Sequence, residues 1–237
     1  MKQHPILFST PMVQAILADY KTMTRRIMKH QPEIDKQTGD IVYRIFKNET
    51  VVPIEEFKEL RKYNCPYGKP GDILWVRETF AFTIGKYEPY DTYSYKADSF
   101  HRDINREGIK YTDLCKEGWH DPDLAKELKW RSSIHMPKSA CRIWLEITNI
   151  RVERLQDITI NQSFSEGIER VAGGGFKDYS GILFSIASPR LSFQSLWESI
   201  NGPNSWDANP WIWVIEFKRI EKPSTPMGCP QTDHQGK

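Results

Sequence analysis

No stretch of this 237-residue chain is apolar for anything near the ~20 residues a membrane-spanning helix needs, which excludes that route into a bilayer. Neither sign of charge dominates: 33 Lys and Arg stand against 31 Asp and Glu, a formal net charge of +2. That excludes a protein that coats nucleic acid by bulk electrostatics and leaves room for a local basic pocket. The four cysteines (Cys65, Cys115, Cys141 and Cys229) form no CxxC pair. With an N-terminus that does not read as a secretory leader, they are expected to be free thiols in a reducing cytoplasm. Cys115, His120 and His101 make an incomplete, irregularly spaced zinc set, so neither a metal nor a cofactor is expected. Gly173-Gly174-Gly175 has no Lys-Ser/Thr after it and is not a phosphate-binding P-loop.

What is present is a series of well-marked elements. Ser9-Thr10-Pro11 reads as a helix start, with a hydroxyl N-cap and a proline in the first turn, and the helix is expected to run to about Asp19. Thr22 and Thr24 then begin a strand. Residues 29–66 are polar, with Tyr43, Ile45 and Val51-Val52 suggesting a hairpin inside an insertion. Pro70-Gly71-Asp72 is a turn, and Ile73–Glu78 a buried strand leaving it. Residues 84–130 form a long excursion with one short helix expected near 122–129.

Cys141–Thr148 alternates, Ile143, Leu145 and Ile147 facing one side. Thr159 to Gln162 has capping-box spacing, so a short helix should carry Ser163 to Glu166 and end at Gly167. Ser188-Pro189 opens a further helix with the stripe Phe193, Leu196, Trp197 and Ile200, closed by Asn201-Gly202. The last strand is Trp211–Lys218, and residues 221–237 read as a flexible tail. Separated strands with short helices and no βαβ rhythm imply an α+β fold, a small mixed or antiparallel barrel with peripheral helices.

The chemistry concentrates in Lys21-Thr22-Met23-Thr24-Arg25-Arg26. An amine three residues from a hydroxyl can make a base-activated nucleophile, and neighbouring arginines can hold a phosphate or carbonyl. Taken alone, the six residues are better described as a basic strand facing solvent.

Further blocks change that weighting. Ala15-Ile16-Leu17 before the basic segment, Pro70 to Glu78, Glu166-Gly167 and Trp211 to Phe217 together resemble the ASCH domain. The match is especially to long prophage-borne members, whose further hallmarks are Trp130 to Pro137 and Ser205 to Pro210. The resemblance implies a PUA-like β-barrel across residues 1–220, with insertions at about 29–66, 84–130 and 170–187. It also implies a pocket for a modified nucleoside or for RNA or DNA. One bacterial ASCH group hydrolyses the acetamide of N4-acetylcytidine with a lysine, a threonine and a glutamate. By motif these roles fall on Lys21, Thr24 and Glu166. The family usually has glycine where this chain has Asp19, a residue that tolerates the left-handed backbone, and alanine where it has Ser163.

The reading that follows is an amidohydrolase of an N-acylated cytosine-type nucleoside, without cofactor. Thr24 Oγ1 would attack, Lys21 would take its proton and Glu166 would orient the amine. Arg25, Arg26, Trp75, Arg77, Ser133 and His135 are the expected contacts to base or phosphate. Each has a bland alternative: a surface Lys21–Glu166 pair, a core Trp75, a structural His135. A non-catalytic RNA or modified-DNA binder and a phage structural or interaction protein are the alternative functions.

Overall fold

The computed structural model describes residues 1–34, 37–38, 40–45, 48–62, 65–83, 92–98, 100–103 and 129–223. Its centre is a five-stranded mixed sheet. Strand β1 (Gln3–Leu7) is an edge, and helix α1 (Thr10–Leu17) and β2 (Met23–Ile27) follow it in the chain. Strand β6 (Ile73–Arg77) lies parallel to β1, and β10 (Trp144–Arg154) and β11 (Trp211–Ile220) pair antiparallel to complete the order β1-β6-β10-β11-β2.

Two three-stranded antiparallel sheets come from the insertions. One joins β3 (Glu33–Ile34), β4 (Ile41–Ile45) and β5 (Asn48–Val52); the other joins β7 (Phe80–Thr83), β8 (Thr92–Tyr95) and β9 (Phe100–Asp103). The expected hairpin in residues 29–66 is therefore present, followed by a helix, α2 (Ile54–Lys62), that the sequence reading did not anticipate. Phe57 on α2 is buried edge-on against Trp211, centroids 5.4 Å apart, so one aromatic anchor holds an otherwise charged helix. The helix expected near 122–129, the tail from 224, Cys115, His120 and Cys229 lie outside the described residues.

The sheet expected to close as a barrel has an open backbone ladder: among the described residues no hydrogen-bonded pairing joins β1 to β2. Side chains fill that seam instead. Arg26 on β2 donates from Nη2 to the Leu7 carbonyl of β1 at 2.6 Å, and its guanidinium lies 5.2 Å from the ring centroid of Phe8. The two sheet edges are thus within one arginine of each other, and the seam they leave is where polar side chains can enter.

Helix α3 (Ile160–Ser165) follows β10, and α4 (Pro189–Asn201) precedes β11. Phe193, Leu196 and Trp197 of α4 are buried, whereas Ile200 is exposed and ends the apolar stripe one turn earlier than expected. β11 is central, between β10 and β2, so both of its faces are covered: Ile212 and Val214 are as buried as Trp213 and Ile215. β10 extends beyond the expected Thr148 because a register shift between Ile147 and Asn149 re-phases its alternation. No helix among the described residues is long and apolar enough to cross a membrane.

Candidate functional site

The site is assembled at the exit of α1. Asp19 adopts φ 62°, the left-handed conformation expected there, and the amides of Tyr20 and Lys21 both return to the Ala15 carbonyl, at 3.2 and 3.1 Å. This turn drives Lys21 into the interior, where it is 3% exposed. Asp19 spends its side chain on a surface ion pair with Arg219 at 3.0 Å.

The partner arrives from far along the chain. The capping box of α3 is formed as expected, Thr159 accepting from the Gln162 amide and Gln162 Oε1 accepting from the Thr159 amide. The helix ends with Glu166 as its C-cap, and Gly167 follows at φ 90°. A Cβ at Gly167 would stand 2.9 Å from that of Ala15 and 3.1 Å from that of Lys21, so glycine permits both the turn and the close approach. The Thr22 amide bonds the Ser165 carbonyl at 2.9 Å, tying the start of β2 to the end of α3.

Glu166 is consequently gripped by two cations. Lys21 Nζ donates to Oε2 at 3.0 Å and Arg25 Nη1 to Oε1 at 2.9 Å. Lys21 also donates to the carbonyls of Met23 (2.8 Å) and Glu166 (2.7 Å), so its three ammonium protons have three acceptors. Arg25 is anchored further by Gln162 Oε1 at 2.9 Å, the same oxygen that caps α3, and by Glu153 at 3.4 Å. Burial pushes the Lys21 ammonium below its ordinary pKa, and the adjacent Glu166 carboxylate opposes that push.

A cavity of about 350 Å³ opens beside this cluster. Lys21, Thr24, Arg25, Arg26 and Glu166 line it, with Phe8, Tyr67, Phe193 and Trp197 as aromatic wall. Its size falls in the range of small-ligand sites, and three cations facing one carboxylate give it a positive balance. Thr24 is buried to 4% exposure, and among the described residues its hydroxyl has no hydrogen-bond partner. The residues expected to form the triad therefore share one cavity.

Arg25 departs from expectation. Its side chain is wholly buried and serves Glu166, Gln162 and Glu153 from inside, so it positions the carboxylate and has little left for a ligand. Its sequence neighbour Arg26 differs, having no carboxylate within ion-pair distance among the described residues and one Nη on the Leu7 carbonyl.

Trp75, Arg77, Ser133 and His135 do not line the cavity. They gather with one another instead: the Arg77 guanidinium lies 5.5 Å from the Trp75 ring centroid and donates to the Ile134 carbonyl in the helical turn Ser133–His135. Trp75 packs on Ile73, Cys141 and Trp144, a small apolar group separate from the main core. Strand alternation correctly placed Trp75 and Arg77 on one face; it could not say which cavity that face meets. Trp206, Trp211 and Trp213 are buried core residues.

Sequence reasoning missed Glu153, Gln162 and the aromatic wall. Only Gln162 carried a local signal, its capping-box position. Among the described residues no group of three or more His, Cys, Asp or Glu is placed to hold a metal ion. No family model, no curated protein and no solved structure matches the chain.

Proposed function

We propose that the chain is an ASCH-type, PUA-like protein whose cavity binds a nucleoside or nucleobase, and that it hydrolyses an amide on an N-acylated cytosine-type group. The observation that carries this reading is the meeting of Lys21, Thr24 and Glu166 at one aromatic-walled cavity, from segments over 140 positions apart in sequence. Thr24 Oγ1, free of protein partners, attacks the acyl carbon and the exocyclic amine leaves with a proton. The acyl-threonine ester is then hydrolysed by water. For Lys21 to accept the Thr24 proton it must first release one of its own, and Glu166 Oε2 is the carboxylate in contact with it, 3.0 Å away. Burial favours that release, as do the charges of Arg26 and Arg25, while the Glu166 carboxylate opposes it. In the charged form Lys21 acts as a fixed positive charge near the developing oxyanion.

A second reading, a binding module without chemistry, is favoured by the saturation of Lys21. An ammonium with three acceptors and a carboxylate held by two cations form a stable ion pair that binding alone would suit. Incubating the protein with acylated nucleosides beside Lys21→Met and Thr24→Val separates the two. The hydrolase reading expects turnover that falls by roughly 10²-fold or more in each variant. Absence of turnover for every substrate at stoichiometric protein, or full activity in Thr24→Val, overturns it.

A further inference from the structure

We infer that the β1–β2 seam of the cavity is a subsite for a phosphate monoester, so that the pocket takes a phosphorylated nucleoside in preference to a neutral one. The inference rests on the nucleoside reading for the identity of the remaining ligand, but the subsite is argued from Arg26 and Ser9, which take no part in the proposed hydrolysis.

Arg26 carries the charge. Lys21 and Arg25 are both committed to Glu166, and Arg25 and Arg151 share Glu153, with Arg151 also held by Glu216. That leaves Arg26 as the cavity-lining cation with no carboxylate partner among the described residues. One Nη donates to the Leu7 carbonyl, which fixes the guanidinium at the seam, and the other Nη has no hydrogen-bond partner among the described residues. A phosphate oxygen is the natural acceptor for a free donor of an arginine fork that lines a cavity.

The start of α1 supplies the rest of the cradle. Ser9, two residues beyond the carbonyl that holds Arg26, is the N-cap of this helix, yet its side chain makes no capping bond. Ser9 and Met12 both line the cavity. The first intrahelical bond is that of the Val13 amide to the Ser9 carbonyl at 2.9 Å, so the amides of Thr10 and Met12 precede the helical ladder. Amides ahead of the ladder at the positive end of a helix, a hydroxyl that makes no capping bond and a guanidinium without an ion pair give this end of the cavity a surplus of donors. Glu166 does not repel an anion here, because both its oxygens are engaged by cations. A tetrahedral oxyanion matches this set better than a neutral sugar hydroxyl, which would leave the Arg26 charge unanswered.

The test is equilibrium binding of cytidine, cytidine 5′-monophosphate, cytidine 3′-monophosphate, ribose 5-phosphate and inorganic phosphate. It uses the intact protein and two variants, Arg26→Gln and Ser9→Asp. The second is chosen because aspartate is a strong N-cap, so the helix is retained while a negative charge enters the subsite. At least one monophosphate should bind about tenfold or more tightly than cytidine, with the preference shrinking as salt rises. Both variants should lose that preference. Equal affinity for cytidine and both monophosphates in the unaltered protein overturns the subsite while leaving the nucleoside reading intact. A preference that survives in folded Arg26→Gln and Ser9→Asp overturns it as well. Ribose 5-phosphate or inorganic phosphate binding that both variants abolish, with no binding of cytidine, supports the subsite and sinks the nucleoside reading instead.

Discussion

Two carboxylates in this molecule are almost equally hidden, Glu166 at 3% and Glu78 at 1% exposure, and both are held by arginine. Glu78 receives a two-pronged grip from Arg142, at 2.8 and 2.9 Å, and the same guanidinium reaches Asp98 and stacks 4.2 Å from the Tyr95 ring centroid. There two acids face one base, and neither Glu78 nor Arg142 lines the cavity. Around Glu166 the balance is reversed, with two bases on one acid, a third base nearby and a cavity alongside. A buried ion pair is thus no sign of function by itself. The surplus of one charge beside open space is what distinguishes a site from a staple.

The comparison predicts unequal costs when each acid is neutralised. Glu166→Gln leaves Lys21 buried without a counter-charge and Arg25 with Glu153 alone, and should lose about 3–5 kcal/mol in denaturant unfolding. Glu78→Gln leaves Arg142 with Asp98 and should lose about 2 kcal/mol. Equal losses would mean that the cavity-side cluster is as well balanced as the staple.

Backbone fit gives a second contrast. Gly167→Ala adds a Cβ 2.9 Å from Ala15 and 3.1 Å from Lys21 at a positive φ, whereas Gly71→Ala at φ 87° meets nothing within 4 Å. The first should cost about 2–3 kcal/mol and weaken ligand binding by displacing Lys21. The second should cost about 1 kcal/mol and leave binding unchanged. Binding that survives Gly167→Ala would show that Lys21 need not be placed so closely.

Replacing a whole pair sharpens the distinction further. Glu78→Leu with Arg142→Met removes acid and base together and should change stability by less than about 1 kcal/mol, with ligand binding intact. Lys21→Met with Glu166→Leu should abolish binding whatever it does to stability, because it strips the cavity of two polar walls and leaves Arg25 with Glu153 as its one carboxylate.

What was legible in the sequence followed from local chemistry. Ser9-Thr10-Pro11, Thr159 to Gln162 and Gly202 after Asn201 mark helix ends because a first-turn proline, a capping box and a glycine act within a few residues, and all three ends fall where those residues put them. Lys21, Thr24 and Glu166 could be named from motif order. Their partners could not: whether Arg25 points at a ligand or at Glu166 depends on α3 docking against β2, a contact between segments 141 positions apart. The same limit hid α2, whose polar sequence is anchored by Phe57 reaching Trp211, with Ile54 packed on the core beside it. It also misplaced Trp75 and Arg77, whose face was right but whose neighbours are the turn Ser133–His135.

The smallest predicted effect is in the pH dependence, where the two clusters should differ in sign. Burial raises the Glu78 pKa above its ordinary 4.5, the Arg142 contacts partly offsetting it. Between 4.5 and that raised value the folded chain holds more protons than the unfolded one, so stability falls as pH rises through the window. Burial lowers the Lys21 pKa from 10.5 despite Glu166. Between the lowered value and 10.5 the folded chain holds fewer protons than the unfolded one, so this group's contribution to stability rises with pH. Unfolding free energies across pH should therefore lose an acid-side decline in Glu78→Gln and an alkaline-side rise in Lys21→Met, each measured against the unaltered protein. A Lys21→Met profile parallel to the parent up to pH 10.5 would mean that Glu166 and the two carbonyls fully compensate burial. Lys21 would then be a permanent cation, and the cavity a binding site whose threonine has no base.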